Sequence, residues 1–160
     1  MFTYTGVEII PDDTTELDCS NNHLATLPSL PSSLKMLDCY NNQLTTLPAL
    51  PFSLKELWCG NNQLTILPAL PFSLKELYCT YNQLTTLPSL PSSLEILVCH
   101  NNKLPIWYNS SPDEIRQEQQ RRNKAALVIQ KAWQNYWYAP NKEGISRFCQ
   151  KSCLELNSYI

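Results

Sequence analysis

The chain has 160 residues, 43% of them hydrophobic and 16% charged, with a formal net charge of −2, which leaves room for one domain and a modest appendage. No run approaches the roughly 18 apolar residues that cross a bilayer, and the opening MFTYTGVEIIPDD holds neither a basic nor an apolar leader segment, so a cytoplasmic or nuclear protein is expected. Met1 to Pro112 carries four Lys against nine Asp and Glu, net −5, while Asp113 to Ile160 carries eight Lys and Arg against five acids, net +3; the acidic part offers no nucleic-acid groove, because phosphate contacts need clustered Lys and Arg.

Residues 1–9 precede the first clear repeat, and Phe2, Tyr4, Val7 and Ile9 suggest a strand-like cap over it. Residues 10–108 then repeat with a period of twenty, in five units of the form L-x-x-L-x-C-x-x-N-x-L. Leu17, Leu37, Leu57, Leu77 and Leu97 make one column, Cys19, Cys39, Cys59, Cys79 and Cys99 a second, and Asn22, Asn42, Asn62, Asn82 and Asn102 a third. Thr14 replaces the opening leucine of the first unit, as befits a terminal repeat. The connecting stretch L-P-x-L-P-x-S-L recurs four times, from Leu27, Leu47, Leu67 and Leu87. Proline fixes φ and removes a donor, so this stretch is neither helix interior nor central strand, and polyproline II suits it. One unit cannot bury both of its faces alone. Stacking hides them, and the expected fold is a solenoid of short parallel strands, leucines inside, with an asparagine ladder satisfying turn backbone groups.

The unit L-P-x-L-P-x-S-L-x-x-L-x-C-x-x-N-x-L resembles the LPX class of leucine-rich repeats, found in secreted bacterial effectors and in repeat proteins of giant amoebal viruses. The resemblance covers roughly residues 10–108. It implies a leucine-rich-repeat solenoid of shallow right-handed curvature, extended on its convex side, that binds proteins, in a host cytoplasm if the chain comes from a virus or an effector. Two departures matter: Cys stands where an aliphatic residue is usual, and the ubiquitin-ligase domain of several effectors has no counterpart in the 48 residues of the tail, which hold no Cys-x-Asp signature.

Past Leu104 the register dissolves, with Trp107 and Tyr108 placed to fold over the open end of the array, and residues 109–160 form a helical tail or cap. Ser111-Pro112-Asp113-Glu114 is a capping box with proline at the first helical position, predicting a helix from Pro112 to about Tyr138 that Pro140 stops. Its second half puts Ala126, Ile129, Trp133 and Tyr136 or Trp137 on one apolar face, and residues 146–156 suggest a second short helix. Ile129 and Gln130 resemble the first two places of an IQ motif, the helix gripped by EF-hand proteins such as calmodulin, with Trp133 and Trp137 on the same helix. The family's Arg, Gly and second Arg fall on Gln134, Asn135 and Ala139, so the basic half of that pattern is missing.

The five repeats serve as an internal alignment that separates scaffold from payload. Inward columns hardly change, whereas outward columns read Asp18, Asp38, Trp58, Tyr78, Val98 and Ser20, Tyr40, Gly60, Thr80, His100, with Glu16, Met36, Glu56, Glu76, Ile96 on the same face. Aromatic side chains on a rigid sheet ringed by acids make protein-binding hot spots. The candidate partner-binding residues are Asp38, Tyr40, Trp58, Tyr78, Tyr81 and His100, for an unidentified protein, a host protein if the chain comes from a virus or an effector; the competing explanation is neutral drift among recent duplicates. The cysteines fit buried small hydrophobes, since a leucine core raises a thiol pKa and parallel sulfurs do not converge on a metal. Cys149 and Cys153 lack neighbouring ligands. With His23 and His100 the only histidines and three scattered glycines, neither a catalytic constellation nor a cofactor or metal site is expected.

Overall fold

The structure, a computed structural model, describes residues 1–6, 9–105, 108 and 111–138, without the side chains of 133–138. Val7, Trp107, the stop at Pro140, the second helix and Cys149 and Cys153 lie outside the described residues. Two compact units divide the chain, Met1–Gln117 and Glu118–Ile160.

In the first unit, β1 (Phe2–Thr3), β2 (Glu16–Asp18), β3 (Met36–Asp38), β4 (Glu56–Trp58), β5 (Glu76–Tyr78) and β6 (Ile96–Val98) form one parallel sheet in chain order. The register is the sequence period itself: Leu17 pairs with Leu37, Leu37 with Leu57, Leu57 with Leu77 and Leu77 with Leu97. Three residues per strand would be a meagre ladder, but the pairing continues past them. The Cys39 amide donates to the Trp58 carbonyl and the Cys59 amide to that of Tyr78, both at 2.8 Å. The stretches between coils hold neither helix nor strand. Each closes on a turn in which a leucine amide bonds the proline carbonyl three residues back, as in Leu54 to Pro51 at 3.1 Å. The result is a leucine-rich solenoid.

Leu34, Leu37, Leu44 and Cys39, with their equivalents in the next two coils, are fully buried and form one continuous core. Burying a leucine contributes roughly 1.5 to 3 kcal/mol. Backbone groups inside the tube are met by two side-chain ladders. Asn62 is typical: its Oδ1 accepts from the Leu44 amide (3.0 Å), and its Nδ2 donates to the carbonyls of Cys39 (2.9 Å) and Cys59 (3.2 Å), tying each coil to the one before. The second ladder is serine. Ser53 Oγ lies 2.7 Å from the Ser32 carbonyl and 2.6 Å from that of Leu34, and Ser33, Ser73 and Ser93 repeat the arrangement.

Both ends of the tube are covered. At the start, Tyr4 is buried and Phe2 and Ile10 pack on the core. Ile9 does not take part: it is 91% exposed, because the chain leaves the sheet after β1 and alternation no longer governs its direction. At the other end Tyr108 is buried, and its hydroxyl accepts from the Leu87 amide at 3.2 Å. Helix α1 (Pro112–Tyr138) begins in this unit. Its capping box is present, with the Ser111 amide donating to Glu114 Oε2 (3.0 Å) and the Glu114 amide to Ser111 Oγ (3.4 Å). One turn on, Ile115 is fully buried and Arg116 donates to the Pro91 carbonyl at 2.9 Å.

In the second unit α1 is polar at first, with Glu118 bonded to Arg121 and Arg122 at 2.8 and 2.7 Å. The packed apolar face expected further on is not seen among the described side chains: Ala126 and Ile129 are exposed, as are Leu127 and Val128. Three consecutive apolar residues spread over about 200° of the helix rather than forming one stripe. Among the described residues, no helix is long and apolar enough to cross a membrane.

Candidate functional site: the strand face

Residues that alternate with the buried leucines come to one side of the sheet, at positions 16 and 18 and their equivalents every twenty residues. The register therefore lays Asp38, Trp58 and Tyr78 side by side on adjacent strands. Just past the strands, Tyr40, Gly60 and Thr80 form the next row. These rows enclose an open pocket of about 470 Å³ whose lining includes Asp38, Tyr40, Trp58, Gly60, Tyr78 and Thr80. Trp58 and Tyr78 meet edge to face, with ring centroids 5.7 Å apart at 72°, the arrangement that aromatic quadrupoles prefer.

Gly60 decides the depth of this pocket. A Cβ there would sit 3.0 Å from Thr80 Oγ1 and 3.3 Å from Tyr40 Cδ2, so any side chain would crowd the Tyr40 ring and occupy the floor. Asp38 supplies the charge. Its Oδ1 accepts from the Tyr40 amide at 2.9 Å, while burial, only partly offset by that bond and reinforced by the charge of Asp18, pushes its carboxyl above the usual aspartate range. The Tyr78 hydroxyl lies 3.3 Å from Glu76 Oε2, and partial desolvation together with the carboxylates of Glu76 and Glu56 pushes the phenol up. Trp58 carries a cost: its indole N–H is buried without a hydrogen-bond partner among the described residues, worth about 1 to 3 kcal/mol when unpaired.

Family profiles match the same stretch of chain. One described as leucine-rich repeats (2 copies) matches residues 15–52 and 32–72, and a second, leucine-rich repeat, matches 73–94, together half of the sequence. This is a leucine-rich repeat protein. A search of curated proteins returns no match. Solved structures of bacterial effectors share the repeats. The leucine-rich repeat domain of a Shigella effector aligns with a TM-score of 0.58 and 42% identity over 59% of this chain and 43% of its own. YopM from Yersinia enterocolitica WA-314 gives 0.50 and 37% over 62% and 27%, and the leucine-rich effector YopM from Yersinia pestis 0.58 and 38% over 61% and 28%. The repeat protein spans less than half the length of each.

Of the six strand-face candidates, Asp38, Tyr40, Trp58 and Tyr78 share the pocket. Tyr81 and His100 do not line it; they form a pair of their own, with rings 5.8 Å apart at 80°. Tyr81 has φ of +52°, a position at which the other four repeats place asparagine: Asn21, Asn41, Asn61 and Asn101. Left-handed backbone is costly for a bulky residue and mild for asparagine. Ile129 and Gln130 are exposed on α1, and the side chains of Trp133 and Trp137 lie outside the described residues. Ser20, Asn21, Gly60 and Thr80 are the pocket residues that residue type alone does not announce; the one signal was a glycine standing in a column otherwise made of Ser, Tyr, Thr and His.

Cys19, Cys39, Cys59 and Cys79 are buried as a row of small apolar groups, and Cys99, in the last repeat, is half-buried. Cys39 and Cys59 are fully buried, and burial pushes their thiols far up; that of Cys19 rises to about 12, from burial first and then the charges of Asp38 and Asp18. Thiols so placed are poor nucleophiles and poor metal ligands at neutral pH.

Proposed function

We propose that this chain is a protein-binding module of the LPX class that engages its partner through the strand face, with Asp38, Tyr40, Trp58 and Tyr78 at the centre of the contact and Tyr81 and His100 at its edge, and that it works in a host cytoplasm. Leucine-rich repeat proteins are generally non-enzymatic interaction modules. The observation that carries the reading is the pocket of about 470 Å³ on that face, where large amphipathic rings surround a partly buried carboxylate. Binding energy concentrates in such aromatic, partly desolvated clusters. In support, the neighbours in structure are effector proteins, known by name as such.

A second reading rests on the exposure of Leu127, Val128 and Ile129, at 50, 66 and 60%. Successive apolar residues open to solvent on a helix suit a partner that wraps it, as an EF-hand protein does, the repeats then acting as a spacer. One capture experiment separates the two, using the intact chain, Trp58→Ala/Tyr78→Ala and Leu127→Glu/Ile129→Glu as baits in a host-cell lysate. The strand-face reading expects the first double variant to lose the bound protein and the second to keep it. The reverse pattern refutes it in favour of the helix.

A further inference from the structure

The pocket on the strand face has a chemistry more specific than general stickiness. We infer that it receives an arginine side chain, presented by an extended basic segment of the partner. This rests on the strand-face reading and names what the centre of that face selects.

Charge is the first argument. The ten outward positions of β2 to β6 hold Glu16, Asp18, Asp38, Glu56 and Glu76 and no basic residue, so the face complements a cation and repels an acidic segment. Ring geometry is the second. Tyr40, Trp58 and Tyr78 line one cavity, and the faces of Trp and Tyr attract cations held within about 6 Å of the ring centre. Valency is the third. Asp38 spends one oxygen on the Tyr40 amide, and among the described residues no other hydrogen bond reaches its carboxylate, so its second oxygen is open to a donor. A half-buried carboxylate with one bond recovers its lost hydration when a cation settles beside it.

These features select arginine over lysine. A guanidinium is planar, stacks flat on an aromatic ring while its edge forks toward a carboxylate, and sheds its hydration more readily than an ammonium. Gly60 makes room for it, since a Cβ at that place would stand 3.3 Å from the Tyr40 ring. An apolar side chain would leave Asp38 desolvated and unpaired, and a phosphorylated one would meet the acids head on.

The test uses the full chain labelled with ¹⁵N and three capped pentapeptides, Gly-Ser-X-Ser-Gly, with arginine, lysine or citrulline at X. Citrulline keeps the shape of arginine and removes its charge. The readout is the indole N–H signal of Trp58, assigned with Trp58→Phe. The arginine peptide is expected to move this signal saturably and to bind at least about tenfold more tightly than the citrulline peptide, with lysine between. Asp38→Asn should weaken the arginine peptide by about tenfold. Equal titration by arginine and citrulline, or no movement with arginine up to about 10 mM, overturns the inference. A random-hexapeptide selection on the intact chain distinguishes the two levels. Binders lost with Trp58→Ala/Tyr78→Ala and enriched in arginine support the inference. Binders lost with that variant but without arginine keep the strand face and overturn the arginine. Binders indifferent to the variant overturn the strand face as well.

Discussion

Replacing Tyr81 with asparagine should make this protein more stable. Tyr81 holds φ of +52° in a turn where Asn21, Asn41 and Asn61 take 59°, 56° and 53°. A left-handed residue with a bulky side chain costs about 1 to 2 kcal/mol, and asparagine escapes much of that by bonding locally. The exchange should also lengthen a ladder that Tyr81 interrupts. Asn41 Nδ2 donates to Asn21 Oδ1 at 2.7 Å and Asn61 Nδ2 to Asn41 Oδ1 at 2.5 Å, and an asparagine at 81 would stand one coil beyond Asn61, adding about 0.5 kcal/mol for an exposed bond. Against this, the Tyr81 to His100 contact is lost, worth about 0.5 to 1 kcal/mol. The balance favours asparagine by about 1 kcal/mol, or about 2 to 4 °C in a chain of this size. Urea unfolding followed by circular dichroism would measure it, with Asn61→Tyr as the opposite change, expected to destabilise by about 2 kcal/mol. A Tyr81→Asn midpoint at or below that of the parent, with the slope unchanged, refutes the strain argument.

Two further perturbations bear on the scaffold and on the pocket. Asn62→Ala strands the buried Leu44 amide and withdraws the donor from the Cys39 and Cys59 carbonyls, so it should cost about 3 kcal/mol or more; a loss under about 1 kcal/mol in the same urea assay would show that the ladder is dispensable. Asp38→Asn should act through pH. Below the ordinary aspartate value of 3.8 the carboxyl is protonated whether folded or not, and the substitution gains nothing. As pH rises through the raised folded-state value, the parent loses stability that the variant retains. The difference in melting temperature should be near zero at about pH 3 and in favour of Asn at about pH 7; a difference that does not change with pH contradicts the burial of that carboxylate.

Much of the fold was legible because periodicity carries its own register. Once Leu37, Cys39 and Asn42 recur every twenty residues, the inward columns, the strand starts and the pairing of Leu17 with Leu37 follow without any further choice. The start of α1 was equally open to inspection, since a capping box is local chemistry. What sequence hid lies where the period fails. Ile115 is one apolar residue in the polar run EIRQEQQ, yet it is fully buried, and the bond from Arg116 to the Pro91 carbonyl spans 25 residues, a contact that no spacing rule anticipates. The serine of L-P-x-L-P-x-S-L was visible as a fixed letter, but its task between two carbonyls of the preceding coil needs the stacked backbone to be seen. The strand-face aromatics were legible as a column; their division into a pocket with Asp38 and a separate Tyr81 to His100 pair was not, because it depends on where a glycine leaves room.

Those departures from the repeat also bear on whether the face was shaped by use or by drift. Drift on a solvent-facing surface is free to change any outward letter, and the exposed Phe52 and Phe72, which stand where two other repeats have Ser32 and Ser92, are changes of that undemanding kind. The pocket and its edge are different, because they carry costs. Trp58 leaves a buried indole N–H unpaired among the described residues, Asp38 keeps a carboxylate where burial disfavours its charge, and Tyr81 occupies a backbone conformation that suits asparagine. Trp58 and Tyr81 could be relieved by borrowing the letter from a neighbouring repeat, Tyr78 or Asn61, a change that duplication makes readily available. Local rules broken together on one face, in a chain that otherwise obeys them coil after coil, are what selection for contact leaves behind. If the substitutions that relieve these costs raise stability and leave partner capture untouched, that inference fails and drift is the better account.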